Sequence, residues 1–597
     1  MNMKLNVIAA ACLAMCASSA FAVTAPAPAT PAQVCAAALP TQADVIVNNC
    51  TPQVKMFIGG SSALGGSLST VVKNDLFDTT AQPIITVVDK SASAQAGNTS
   101  AWFGKSKSSL TGGASKWLYV VYNKNNGSAA GVSLLLSKVG TVPEGTVVSV
   151  GPLTAKANGS NSCVLAGTST TLVPVVNCAT TDVATAADLA ISDVHPSELY
   201  KLYATATAKV STLTMKPLAM QGMGLGVSWN LYQALQVRNV AEGLIDSTCV
   251  AGDLSAKCQP TVRSADYTSL ITKQGLIKTA ATFLGDAADS TPLTLARRDD
   301  LSGTQASSNI FFADNSCGGM GYGAGGTNYG VVSAAGGFNF NPVTGKLDKL
   351  VSAAMGGGLN IIESAVAAAA PAATGVARND TTSYPGLIIM SAVAGGDVTN
   401  ALNSAIAGTS AVAAVPVAPA VLATAADLAA GTVSSVTKLP VVAVGEVITP
   451  AVTTAVNALP ATPASYAIGA ISLTSAPANT VNTWKFVKID GVSPNFKADG
   501  SLDTTQRLQF ANGNYPFAVQ SYAAYPIKPV AGSVNDAVKG APAVLQAVIT
   551  GLQSSVLHNL TGIAYQDGTA AASTISTLDQ QAHVHRTAGN NCSPLIK

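Results

Sequence analysis

Four times along this chain an apolar run of strand length gives way to a turn rich in Gly, Ser or Asp. The first is VKMFIGG (Val54–Gly60), followed by SSALGGSLSTVVKNDLF. The second is WLYVVYNKNNGSAAGVSLLLSKV (117–139), the third begins DLAISDVHPSELY (188–200), and the fourth is LAMQGMGLGVSWNLYQALQ (218–236). In the first, second and fourth the stretch after the turn has helical character. Strands that alternate with helices restrict the fold to the α/β class, because parallel neighbours need a crossover connection and a helix supplies it. Further strand-like runs follow in SYAIGAISLTS, TWKFVKIDGVSP and YPFAVQSYAAYP, and a helix is predicted within 534–560.

A turn of this kind leaves free N–H groups at the start of a helix, where the dipole also favours negative charge. Residues 59–63 form one such turn, with hydroxyls from Ser61 and Ser62; 127–131 form a second, with Ser128; Ser302, Gly303 and Thr304 form a third. Just before the third lies RRDD (297–300), in a chain where only 10% of residues are charged, against ~25% in an average soluble protein. Arg298 offers a planar, permanently charged fork suited to an oxyanion, and Asp300 could hold it in place. Arg297 is read as solvated or structural. A formal net charge of +2 provides no basic face and argues against a nucleic-acid partner.

In order and in local sequence, these segments resemble the phosphate-binding periplasmic component of ABC uptake systems, a type 2 periplasmic binding protein. IGGSSALGGSL resembles that family's first phosphate loop, with Ala63 where the family has threonine, so that a hydroxyl is lost or taken over by Ser62. NNGSAAGVSLL resembles its second loop, with Ser128 at the ligand-contacting serine. DLAISDVHP places Asp193 at the ligand-contacting aspartate, and RRDDLSGTQ places Arg298, Asp300, Ser302, Gly303 and Thr304 in the Arg-x-Asp-x-Ser-Gly-Thr loop. The resemblance implies a two-lobed α/β fold with mixed sheets. It also implies inorganic phosphate or a similar oxyanion as ligand, an inner-membrane ABC permease as partner, and no cofactor or metal. An aspartate facing an anion makes sense if the ligand keeps a proton, since the carboxylate then accepts that hydrogen bond; sulfate would set two acceptors against each other.

On this reading residues 1–22 are a signal peptide, with Lys4, a short apolar core and Ala20-Phe21-Ala22 before the cut. Residues 23–35 are a Pro/Ala linker, 36–210 and 485–597 build one lobe, and 211–484 the other. An Ala/Val/Thr-rich, low-complexity insertion is expected at 393–463. The localisation expected is periplasm or cell surface. Eight cysteines remain after cleavage, and proximity suggests the pairs 35–50, 163–178, 249–258 and 317–592. Only four histidines are present and there is no Gly-x-Ser-x-Gly or HExxH motif, so an enzyme is not expected. The HxH pair His583 and His585 is read as surface, and His195 as a structural neighbour of Asp193. The chain's length, the insertion and the scarcity of charge keep a second class open: an exported structural or surface-layer protein, self-assembling, on the same fold with a degenerate site.

Overall fold

The computed structural model describes residues 52–80, 83–89, 99–124, 127–135, 164–165, 175–178, 187–199, 210–272, 277, 279–291, 293–298, 301–314, 338–341, 346–349, 353–354, 359–363, 387–392, 395–407, 465–478, 480–527, 541–553, 560–566, 581–582, 584–586, 591–593 and 595–596. In chain order the elements that matter here are strand β1 (Val54–Gly60), helix α1 (Gly65–Val71), strands β2 (Ile85–Asp89), β3 (Thr99–Lys105) and β4 (Trp117–Asn123), helix α2 (Gly127–Leu135) and strand β5 (Leu189–Ser192). Then come the long strand β6 (Leu213–Val227), helix α3 (Trp229–Ala241), strand β7 (Leu293–Arg298), helix α4 (Gly303–Ala313) and strand β8 (Leu387–Ala392). Helix α5 (Gly395–Ala407), strand β9 (Tyr466–Ser472), strand β10 (Ala518–Pro526) and helix α6 (Pro542–Leu552) complete the set.

The fold is mixed α/β around one large, mixed sheet. β1 is parallel to both β4 and β5, and β7 is parallel to both β8 and β9. The antiparallel strand β6 connects these two parallel groups. Its 213–222 portion pairs with β10, which also pairs with β5, while its 223–227 portion pairs with β9. β2 and β3 extend the first group in antiparallel fashion.

Both faces of the first group are covered, which explains why its strands are apolar throughout instead of alternating. Met56 and Ile58 of β1 join Leu68 and Val71 of α1 and Val544 and Val548 of α6 on one side. Phe57 points the other way, into a cluster with Tyr119, Val121 and the α2 residues Val132 and Leu135. Each such side chain contributes about 1.5–3 kcal/mol by leaving water.

Helix α5 lies inside the span read as a weakly packed insertion. Val398, Ala401 and Leu402 are buried in the main core, so this part belongs to the body of the fold; residues 408–464 are outside the described residues. Cys249 and Cys258 are disulfide-bonded, with Cα atoms 5.3 Å apart. Cys592 is also disulfide-bonded, and its expected partner Cys317 lies outside the described residues, as do Cys35, Cys50, Cys163 and the signal-peptide and linker spans. Among the described residues no helix is long and apolar enough to cross a membrane.

Candidate functional site

A parallel strand followed by a helix delivers its carboxyl end, the turn and the helix N-terminus to one edge of the sheet, where α/β proteins hold ligands. Four such ends, after β1, β4, β7 and β8, meet the carboxyl end of β9 around a cleft of about 180 Å³. The turn after β1 gives Ser62 and Ala63, and the residue after β4 is Lys124. β7 ends in Arg298, and α4 brings Thr304. The first two residues of α5, Gly395 and Gly396, open onto the cleft, and Ser472, Thr474 and Ser475 close it at the end of β9. The lining combines two cations, several hydroxyls and the N-terminus of a 13-residue helix.

Arg298 is 3% exposed. Its backbone N–H donates to Gln305 Oε1 (3.1 Å) and its Nε to the carbonyl of Ala392 (3.1 Å), so the side chain is anchored between β7 and the end of β8. Arg297 is equally buried and its Nε donates to the Arg298 carbonyl; of the two roles expected for it, the structural one is what the geometry shows. Lys124 is half-buried, and burial pulls its pKa down. An anion beside it would reverse that penalty.

Behind this lining lies a buried polar cluster centred on Asp193, which is 2% exposed. The Ser61 hydroxyl donates to Oδ1 of Asp193. The Thr304 hydroxyl donates to Oδ2 (3.2 Å), and the Asp193 N–H donates to Ser128 Oγ (3.1 Å). Burial pushes the Asp193 carboxyl up, while the hydrogen bond from Ser61, the Arg298 charge and the bonds from Thr304 oppose that rise. Two loops are therefore stitched to the Asp193 carboxylate and a third to its backbone N–H.

Local sequence explains the fit. Gly60 sits at φ +130°, and a Cβ there would lie 2.0 Å from the Ile191 carbonyl oxygen, so only glycine lets the β1 turn pass β5. Ser61 N–H then donates to that same carbonyl (2.7 Å), and the Tyr122 hydroxyl donates to the Ser61 carbonyl. Gly303 is pressed on the cluster from the other side: a Cβ would fall 2.3 Å from Ser128 Oγ and 2.8 Å from Asp193 Oδ2. Ser302 caps α4, its Oγ accepting from Gln305 N–H at 3.4 Å.

The sequence-derived residues thus divide. Ser62, Arg298 and Thr304 line the cleft. Ser61, Ser128, Asp193, Ser302 and Gly303 form the packed layer described above, and Asp300 lies outside the described residues. His195 caps the short turn Pro196–Glu198 and stacks edge-on to Tyr522 (5.0 Å), a structural role; His583 is outside the described residues. Lys124, the start of α5 and the hydroxyls at 472–475 were missed. The usable signal was position: each follows a strand of the two parallel groups.

No family model matches the chain, and no curated protein matches it. Among solved structures, a putative phosphate ABC transporter substrate-binding protein with bound phosphate, from Clostridium perfringens, is similar at 10% identity and a TM-score of 0.31, over 84% of this chain and 93% of that one.

Proposed function

We propose that this protein is an exported solute-binding protein, not an enzyme, and that it captures phosphate or a similar oxyanion that retains a proton. The observation that carries this reading is the cleft, where Arg298 and Lys124 face the same space as several hydroxyls and the start of α5. Such a lining complements a compact anion through charge-assisted hydrogen bonds. An ABC permease in the inner membrane is the partner this role calls for.

The hydrogen bonding behind the cleft supports a preference for a protonated ligand. A threonine hydroxyl has one proton and two lone pairs. Thr304 gives its proton to Asp193 and so turns only lone pairs toward the cleft, where a ligand O–H can donate to it. Asp193 acts through Thr304 as a positioning residue. Sulfate, with no proton at neutral pH, would meet an acceptor with acceptors.

Titration calorimetry with phosphate and with sulfate tests both parts. Wild type is expected to release heat with phosphate and to prefer it over sulfate. Asp193→Asn and Thr304→Val are each expected to shrink that preference by about tenfold, the worth of one hydrogen bond of this kind. No phosphate binding at millimolar concentration sinks the proposal; intact discrimination in both variants sinks the role given to Asp193.

A further inference from the structure

Thr304 is not alone among the cleft hydroxyls in having spent its proton. The end of β9 brings Ser472 and Thr474 to the cleft. Ser472 Oγ accepts from Gln221 Nε2 (2.9 Å), from the Thr474 N–H (3.2 Å) and from the Thr474 hydroxyl (2.9 Å). Thr474, half-buried, has therefore given away its only hydroxyl proton and keeps its lone pairs. Thr304 is in the same state, its proton on Asp193. Resting on the proposal that the cleft takes phosphate, we infer that it selects dihydrogen phosphate, the singly charged anion, with one ligand O–H donating to Thr304 and the other to Thr474.

The fold, and not a guest, sets the direction of the Thr474 bond. Ser472 is 5% exposed and pairs with Met223 of β6, which places it beside Gln221 of the same strand. The next residue, Leu473, donates its N–H to the Gly222 carbonyl (2.9 Å), and Ser475 N–H returns to the Ser472 carbonyl (3.0 Å). Thr474 is thus held in a turn fastened on both sides, with its hydroxyl on Ser472. Two accept-only hydroxyls on separate elements, α4 and the turn after β9, suit an oxyanion that brings two donors. An anion with a single proton would leave one of them facing an acceptor.

The surrounding charges favour the same form. Arg298 and Lys124 are the cations of the lining. Asp193 stands behind Arg298 and feels its charge, and Asp397, 8% exposed, lies in the first turn of α5, next to Gly396. Arg297 points to the opposite face of β7, toward Tyr267. Tyr122 donates its hydroxyl to the Ser61 carbonyl and brings no charge. Two carboxylates close to two cations leave little net charge to hold a dianion. A monoanion is held by those cations together with the N–H groups at the start of α5.

Phosphate, methyl phosphate and dimethyl phosphate are the probes. At about pH 5, below the second pKa of about 6 of a phosphate ester, all three are monoanions, and they carry two, one and no O–H groups. The cleft, about 180 Å³, has room for roughly six waters at ~30 Å³ each, so the methyl groups can be accommodated. Calorimetry on the full chain is expected to show affinity falling about tenfold with each methyl added. Thr474→Val removes one acceptor at similar shape and is expected to bring phosphate and methyl phosphate within about twofold of each other, while methyl phosphate keeps its lead over dimethyl phosphate. Thr474→Ser, which keeps the hydroxyl, is expected to keep the phosphate lead; thermal unfolding verifies that both variants fold. Phosphate bound with no lead over methyl phosphate overturns the inference and leaves the proposed function standing. So does a lead that survives in Thr474→Val, since steric exclusion of the methyl group then accounts for it. If none of the three ligands binds, the phosphate reading falls as well.

Discussion

Lys124 and Lys485 are both withdrawn from water, and burial pulls both ammonium pKa values down, yet they stand in opposite surroundings. Lys485 is enclosed by two carbonyls and a hydroxyl that take all its donors. Lys124 shares its cleft with a guanidinium, a helix start and hydroxyls. The difference shows that a buried charge alone does not identify a ligand site. What matters is whether the fold has already spent that charge on its own backbone. Lys485 holds its own loop together, whereas Lys124 and Arg298 line one cleft, Arg298 with its Nε on the Ala392 carbonyl.

The largest expected effect breaks this comparison at the arginine. Arg298→Gln keeps a polar side chain but removes a charge-assisted donor, and phosphate affinity is expected to fall by roughly 10- to 100-fold, since hydrogen bonds to charged groups contribute about 1.5–3 kcal/mol. Lys485→Met is expected to leave phosphate affinity within about twofold, because its ammonium donors are taken by its own loop and it does not line the cleft. Calorimetry on the two variants decides the matter. Equal losses, or none at Arg298, would mean that the surroundings of Arg298 and Lys485 do not differ in the way described.

A smaller effect is expected from Gly303→Ala. The added Cβ would meet Ser128 Oγ at 2.3 Å and Asp193 Cβ at 2.8 Å, so α4 must move off the cluster at a cost of about 1–3 kcal/mol. Urea unfolding measures that cost. Adding Ser128→Ala takes away the closest of these contacts and is expected to recover part of the loss, but not all of it, because Asp193 stays in place.

How much of this was legible in the sequence follows from the kind of signal each part left. β1 was readable to the residue because an apolar run closed by two glycines admits few alternatives. The long strand β6 was read from Leu218, five residues late, because LTMKP is mixed in polarity and is held as strand by pairing with β10. The loops carrying Ser61, Ser128, Asp193 and Thr304 could be singled out because hydroxyls and glycines before a helix are a local pattern. Lys124 could not: flanked by Asn123 and Asn125 in a polar turn, it looks like any solvated lysine until β4 is set beside β1. Gly395 and Gly396 were hidden by the composition around them. Asp193 was read as facing the ligand, whereas its carboxylate faces Ser61 and Thr304. Such a relay depends on which proton each hydroxyl gives away, and sequence does not encode that directly.

The smallest expected effect is one of pH, and it sharpens the contrast between the lysines. Burial lowers the Lys485 pKa from the ordinary lysine value of 10.5 to about 8. The folded state therefore binds that proton less tightly than the unfolded chain does. The stability associated with the neutral amine is complete above the unfolded value of 10.5 and is lost as pH falls through about 8. Thermal unfolding of wild type should accordingly gain on Lys485→Met as pH rises from 8 toward 10.5, and the gain should be the same with or without saturating phosphate. The matching gain of wild type over Lys124→Met should be present in buffer alone and diminish when phosphate is added, because a bound anion favours the charged form of Lys124. If phosphate alters the Lys485 difference and leaves the Lys124 difference untouched, the roles of the two lysines are reversed.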